Sequence, residues 1–502
     1  MEKKETIYDV FVIGGGVNGC GIARDATGRG LNVCLAEMND LGSGTSSTST
    51  KLIHGGLRYL RYFDFRLVRE SLKEREVLLK NMPHICWPMR FVLPAPKALL
   101  HKIIIRLGLF IYDNLGGRTI LPGTKTIRVK DSDVGNILRN KFSSAFVFSD
   151  CWVEDARLVI LNAVDAKKRG AHVLTHTKVT NLKREEKYWR VTTKGKDGIT
   201  QEFFSYSIVN AAGPWVNTLN NNASKEDTSI HLVKGSHIVV KKMFGHRKAY
   251  FLLGKDKRII FVIPFQEDFT LIGTTEIPHN DMSQEPNCSK EEKKYLIEFI
   301  NSYFHSKLEF ENIVWSYSGV RPLYKHLTDN QDSVSSITRD YMLNVESINN
   351  LPILTIYGGK LTTYRKLAEN ALFRMRSYFP KMQGSWTSQE PLPGGNFKLE
   401  KKAFLIKELC EKYSFLDEKW STRLIKNYGT LCEDLLGDSK TKGDLGIDFG
   451  HSLTETEVKW LIENEFANCG EDILWRRTKL GLRFTKKQEK QLTDWVQNYL
   501  SV

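Results

Sequence analysis

A chain of 502 residues is several times the ~100–200 expected of one domain, so it can bury a large core and should divide into two or three domains. With 41% hydrophobic and 26% charged residues, 37 glycines and 14 prolines, the composition excludes a disordered, collagenous or low-complexity chain and fits a folded enzyme. Lys and Arg (73) outnumber Asp and Glu (58), and the net charge of +15 asks for an anionic partner: nucleic acid, anionic lipid or a phosphorylated substrate.

From the N-terminus, Met1 to Asp9 mixes Glu2 and Glu5 with lysines and leads into a strand pattern, unlike a signal peptide, which predicts a cytoplasmic chain. Asp9 to Ile13 is a short apolar β-rich run ending in Gly14-Gly15-Gly16-Val17-Asn18-Gly19, and Ile22, Ala23, Ala26 and the Gly-Arg-Gly at 28–30 read as a helix and its stop. In this G-x-G-x-x-G, Gly14 permits the tight turn, Gly16 admits a pyrophosphate against the backbone, and Gly19 lets the helix pack closely, with helix N–H groups facing the anion. A second strand pattern, Leu31 to Glu37, ends in a carboxylate about 20 residues on, where a ribose hydroxyl needs an acceptor; this predicts NAD or FAD and disfavours a 2′-phosphate. Residues 42–60 then run from small hydroxyl side chains into Lys51, His54, Gly55-Gly56 and Arg58. A flexible linker has no need of those residues, whereas a backbone-rich wall against a planar ring and anionic groups does, which favours FAD.

Between residues 97 and 130, seven basic residues (Lys97, Lys102, Arg106, Arg118, Lys125, Arg128, Lys130) meet one acid, Asp113. Within that stretch Lys102, Arg106 and Asp113 share one helical side, while Leu99, Leu100, Ile103, Ile104, Ile105, Leu107, Phe110 and Ile111 cover most of the rest. The pattern suits either a basic helix in a membrane interface or a helix buried in a core or dimer. No run approaches the ~20 apolar residues of a membrane span. Further on, Asn210-Ala-Ala-Gly213 after an apolar strand could be a second approach to a dinucleotide or a plain turn. His237 lies on a strand among β-branched residues, and Arg321 is held extended by Pro322. Gly358-Gly359-Lys360-Leu361-Thr362 follows the β-run 353–357 and opens a helix at 366–378, so its donors can face an electron-rich ring. Pro391 to Gly395 reads as a linker, after which helical patterns follow without a β-rich run, with capping boxes expected at Thr454–Glu457 and Thr485–Gln488. The eight cysteines contain no C-x-x-C pair, so reduced thiols are expected, with no disulfide framework and no metal site.

The strings Gly14 to Gly19, Thr45 to Tyr59, Lys234-Gly-Ser-His237, Tyr317 to Pro322, Tyr357 to Arg365 and Trp475-Arg-Arg-Thr-Lys-x-Gly481 resemble the FAD-dependent, membrane-associated glycerol-3-phosphate dehydrogenases of bacteria, within the amino-acid-oxidase-like flavoprotein fold. The resemblance runs in order from about residue 8 to the tail. It implies an α/β fold in which a Rossmann-like FAD-binding domain (1–95, 145–230, 340–395) carries an inserted antiparallel-sheet substrate-binding and membrane-facing domain (96–144, 231–339), followed by an α-helical C-terminal cap (396–502). It places Gly14, Gly15, Gly16, Val17, Asn18, Gly19, Glu37, Thr45, Ser46, Ser47, Lys51, Leu52, His54, Gly55, Gly213, Gly359, Lys360, Leu361 and Thr362 at FAD. Arg58, Tyr59, Arg321 and Arg339 are expected at a substrate phosphate, with His237, Lys360 and Arg321 catalytic.

The implied reaction is oxidation of sn-glycerol 3-phosphate to dihydroxyacetone phosphate, with hydride leaving C2 for flavin N5 and electrons passing to a membrane quinone. A histidine pKa near 6.5 suits accepting the C2 hydroxyl proton, and a lysine whose pKa is lowered by like charge is the rival base. The family setting also implies a homodimer lying peripherally on the cytoplasmic face of the inner membrane, with residues 97–130 against anionic lipid. An oxidase that passes electrons to oxygen is the alternative enzyme. A nucleic-acid partner is not expected, because the clustered charge is mixed with aliphatic rather than stacking aromatic residues.

Overall fold

The computed structural model describes residues 6–96, 98–139, 142–220, 230–254, 256, 258–324 and 340–501, so Lys97 and Arg339 lie outside the described residues. In chain order the elements that frame the site are β1 (Val10–Ile13), α1 (Val17–Gly28), β2 (Val33–Ala36), α2 (Phe65–Asn81), β3 (Cys86–Pro94), α3 (Leu99–Leu115), β4 (Ser144–Val153), α4 (Asp155–Lys168), β5 (His172–Leu174) and β6 (Ile208–Asn210). There follow β7 (Ile230–Lys241), β8 (Ala249–Leu253), β9 (Ile259–Phe265), β10 (Phe269–Gly273), α5 (Lys290–Tyr303), β11 (Ile313–Tyr324), β12 (Tyr341–Ile348), β13 (Leu351–Gly358) and α6 (Tyr364–Met375).

A six-stranded sheet in the order β12-β13-β6-β1-β2-β5 forms the nucleotide half, parallel except for the β12–β13 pair. Its central strands are near-continuous apolar runs because both faces are covered. On β1, Val10 and Val12 pack toward the helices with Ile22 and Ala23 of α1, whereas Phe11 and Ile13 pack toward Trp189 and Val191 of a second, four-stranded sheet. This is the two-residue alternation of a strand, buried on both sides.

A ten-stranded, mainly antiparallel sheet forms the other half, with β7, β10, β9, β8, β3 and β4 paired in that order and β11 paired to β7. Alternation again divides it: Val239, Phe251 and Leu271 face the α2 and α3 side, while Ile238, Leu252 and Ile272 face α5. α5 starts with a formed capping box between Ser289 and Glu292. α3 turns Leu109 and Tyr112 inward, and Leu99, Leu100, Ile103, Ile104, Leu107 and Phe110 are 56–71% exposed. The helix therefore packs by a narrow seam and leaves its broad apolar face bare. Among the described residues, no helix is long and apolar enough to cross a membrane.

Beyond residue 395, α7 (Lys402–Lys412), α8 (Glu418–Tyr428), α9 (Glu455–Glu465) and α10 (Lys486–Ser501) surround a separate apolar core that includes Leu424, Leu461 and Val496. Within this helical region Asp448–Gly450 pairs with Leu453–Thr454 in a short hairpin. The expected capping box at Thr454 does not form, because the Glu457 carboxylate is taken by the Arg423 guanidinium and the Tyr428 hydroxyl. The box at Thr485 and Gln488 is made in both directions, at 3.0 and 3.3 Å. All eight cysteines are free thiols.

Candidate functional site

One cavity of about 1080 Å³ runs along the carboxyl ends of the parallel strands and under the ten-stranded sheet. At its nucleotide end, the β1 to α1 turn is shaped by glycines. Gly14 has φ of +105°, and a Cβ there would lie 2.6 Å from the Ala211 carbonyl oxygen; a Cβ on Gly19 would lie 1.9 Å from the Gly14 oxygen. These contacts press the start of α1 onto the sheet and leave the turn open toward the cavity, the cradle that a pyrophosphate needs. The Glu37 carboxylate accepts from Gly15 N at 2.6 Å and from Asn39 N at 2.9 Å, and burial raises its pKa. It closes one end of the cradle while still lining the cavity. The Asn18 amide donates to the Gly358 carbonyl at 3.2 Å, so the late glycine turn, Gly358 and Gly359 with φ of +76° and +107°, is tied to the opening motif.

The loop from Gly42 to His54 forms the cavity's long wall. Val17 N donates to the Ser46 hydroxyl at 3.0 Å, and Thr45 donates to the Val320 carbonyl at 2.5 Å. Lys51 is fully buried, and its Nζ is 2.8 Å from both Asp155 oxygens and 3.0 Å from the Ser47 carbonyl. Its charge is therefore used to hold the loop. The Thr362 hydroxyl bridges the backbone N and O of His54 at 3.2 and 3.3 Å, joining this wall to the late glycine turn.

At the other end of the cavity, His237 on β7 and Tyr317 on β11 are direct cross-strand partners, with rings 4.8 Å apart and 17° from parallel. His237 is 2% exposed, and its Nε2 lies 3.0 Å from the Thr50 hydroxyl. Burial foremost, then the charges of Lys51 and Arg321, hold its pKa well below the usual value, so the ring is neutral and able to take a proton. Lys360 projects its ammonium 4.1 Å from the Tyr59 ring centre. The Arg321 and Arg58 guanidiniums approach the same oxygen of Glu276, at 3.8 and 3.5 Å. A Cβ on Gly235 would lie 2.5 Å from the Arg321 guanidinium and 2.6 Å from the Thr274 hydroxyl, so the glycine leaves room for both side chains.

Of the expected site residues, Gly14, Gly16, Val17, Asn18, Glu37, Thr45, Ser46, Lys51, Leu52, His54, Tyr59, Gly213, His237, Arg321, Gly359, Lys360, Leu361 and Thr362 line this one cavity. Gly15, Gly19, Ser47, Gly55 and Arg58 stand behind the lining, and Arg339 is outside the described residues. Gly55 is a wall support: its N donates to the Tyr112 hydroxyl at 2.7 Å, and a Cβ would meet Leu72. Sequence reasoning missed Glu276, which draws two like charges together, and Arg476, which reaches the nucleotide end from the C-terminal region. Neither residue sits in a pattern that announces it; only the Trp475-Arg-Arg string marked the second. Among the described residues, no cluster of three metal-binding side chains exists.

A family model for FAD dependent oxidoreductases matches residues 9–365, and one for the C-terminal domain of alpha-glycerophosphate oxidase matches residues 385–499. The chain is 44% identical to the D-erythritol 1-phosphate dehydrogenase of Brucella abortus over 99% of both chains. It is 43% identical to the aerobic glycerol-3-phosphate dehydrogenase of Escherichia coli, over 99% of this chain and 98% of that one. Among solved structures, the glycerol-3-phosphate dehydrogenase of Bacillus halodurans, complexed with FAD, superposes with a TM-score of 0.77 at 26% identity, covering 99% of this chain and 95% of the other.

Proposed function

We propose, from the premise that this chain belongs to the FAD-dependent oxidoreductase family of glycerol-3-phosphate dehydrogenases and oxidases, that it oxidises sn-glycerol 3-phosphate to dihydroxyacetone phosphate. The observation that carries this reading is the single cavity that joins the Gly14 to Gly19 cradle to His237, Lys360 and Arg321. Those glycines and Glu37 would hold the dinucleotide of FAD, and the Gly359 to Thr362 turn would face its ring. FAD, when bound, supplies the acceptor for the hydride of the substrate C2.

The protein's own residues supply the rest. Arg321, braced with Arg58 on Glu276, receives the phosphate as a charge-assisted clamp. Tyr59 and Lys360 line the pocket together, and the ammonium stabilises negative charge growing on the C2 oxygen. His237, neutral and fixed by Thr50, takes the hydroxyl proton. Electrons then pass to a membrane quinone, with the exposed face of α3 and the basic residues through Lys130 resting on anionic lipid at the cytoplasmic face of the inner membrane.

The 44% identity to a D-erythritol 1-phosphate dehydrogenase favours a second reading, a four-carbon polyol phosphate as substrate. Turnover of the purified enzyme with each polyol phosphate, using a soluble quinone analogue or oxygen as acceptor, separates the readings. We expect the higher kcat/KM with sn-glycerol 3-phosphate and the quinone analogue. Preference for the four-carbon compound would move the substrate, and stoichiometric peroxide would make the protein an oxidase.

A further inference from the structure

The string Trp475 to Gly481 belongs to the C-terminal region, which holds neither the glycine cradle nor the groups proposed to act on substrate, yet it points into the body of the molecule. Trp475 stacks on Trp315 of β11, with centroids 4.6 Å apart and planes 25° from parallel. Trp315 leans on Tyr317, its same-face neighbour two residues along the strand, at 4.8 Å and 39°, and Tyr317 stacks on His237. The far side of the imidazole is closed by Gly273, where a Cβ would lie 2.2 Å from the ring. Gly481 makes room for the outer end of the column, since a Cβ there would lie 2.5 Å from the Trp475 indole. The Tyr317 hydroxyl is fixed on the Ser49 carbonyl at 2.8 Å. Next to Trp475, both Arg476 and Arg477 bind the same Oδ2 of the buried Asp40, in the loop after Glu37, which anchors the base of the column to the nucleotide half.

Trp475, Trp315 and Tyr317 are all absent from the cavity lining, whereas His237 is part of it. The ring torsion of a histidine is broad and roughly two-fold, and a histidine held only by one hydroxyl can rock. Here it is gripped between a glycine backbone and a column of three aromatic rings whose outermost member comes from another part of the chain. We propose that Trp475 is a positioning residue for His237: through Trp315 and Tyr317, the C-terminal domain sets the plane and depth of the imidazole in the active site. The inference deepens, and rests on, the reading of His237 as the proton acceptor.

The test is anaerobic stopped-flow reduction of the FAD-loaded full-length enzyme by glycerol 3-phosphate. Trp475→Leu should reduce its flavin about tenfold more slowly at saturating substrate, with FAD content unchanged and KM within about twofold, because geometry at the reacting atoms and not binding is disturbed. Trp475→Phe, which keeps a ring in the column, should recover most of the rate. Gly481→Ala, which pushes the indole without removing it, should slow reduction in the same way and serves if Trp475→Leu fails to fold. In a His237→Asn background, Trp475→Leu should add nothing, as expected of two residues acting through one group. Wild-type reduction by both Trp475→Leu and Gly481→Ala, additive losses, or no recovery with Phe would overturn the proposal. Full-rate reduction by His237→Asn itself would instead strike the reading of His237, and the proposal with it.

Discussion

His237 shows how a residue's setting decides its chemistry. A strand histidine among β-branched residues looks like a structural residue in sequence, and only the family resemblance singled it out. In the fold it sits at the cavity, buried and beside Lys51 and Arg321, with its pKa held well below 6.5. The sign of the pH effect follows: the imidazole stays neutral as pH falls through 6.5 and is charged only at lower pH. The acid limb of kcat/KM, measured from about pH 5 to about pH 9, should therefore lie below 6.5, and a limb at or above that value would remove His237 as the proton acceptor. Glu276 was not legible in the same way. A carboxylate in Gly-Thr-Thr-Glu is ordinary until the fold brings Arg58 and Arg321 to it from more than 200 and about 45 residues away. Lys51 was legible as special, but its partner Asp155, some 100 residues on, was not.

Among the elements, β1 with its glycine turn was readable because strand, turn and helix signals are local and follow one another directly. α3 was half readable. Its apolar and basic stripes are plain in the sequence, but which stripe meets protein depends on β-strands and helices distant in the chain. The structure buries Leu109 and Tyr112 and exposes the six aliphatic and aromatic residues of the broad face. If that face rests on lipid, Ile103→Glu together with Phe110→Glu should abolish co-sedimentation with vesicles rich in anionic lipid and leave glycerol 3-phosphate turnover with a soluble acceptor near wild type. Undiminished co-sedimentation would remove α3 as the membrane contact. The capping box at Thr454 illustrates the opposite failure, a correct local pattern overridden when tertiary partners claim its carboxylate.

For the whole molecule, the order of matching strings along the chain carried the fold, because most of them lie at the cavity wall, where the backbone is crowded and residue choice is narrow. What sequence could not supply was the meeting of the two ends. The C-terminal region reads as a helical cap, yet buried pairs such as Arg157 with Glu465, and Arg476 and Arg477 with Asp40, bind it to the six-stranded half, and Trp475 reaches β11 of the ten-stranded sheet. The excess positive charge likewise gathers in places: Arg321 and Lys360 in the cavity lining with Arg58 behind it, and the basic stretch that follows β3. The central claim is that this chain holds FAD and uses it to oxidise glycerol 3-phosphate. The absorption spectrum of the purified protein, recorded without oxygen before and after adding glycerol 3-phosphate, tests it directly. A flavin band near full occupancy should bleach on addition, and Arg321→Ala should bleach only at much higher substrate concentration. A protein without the band, or a band that glycerol 3-phosphate leaves unchanged, would contradict it.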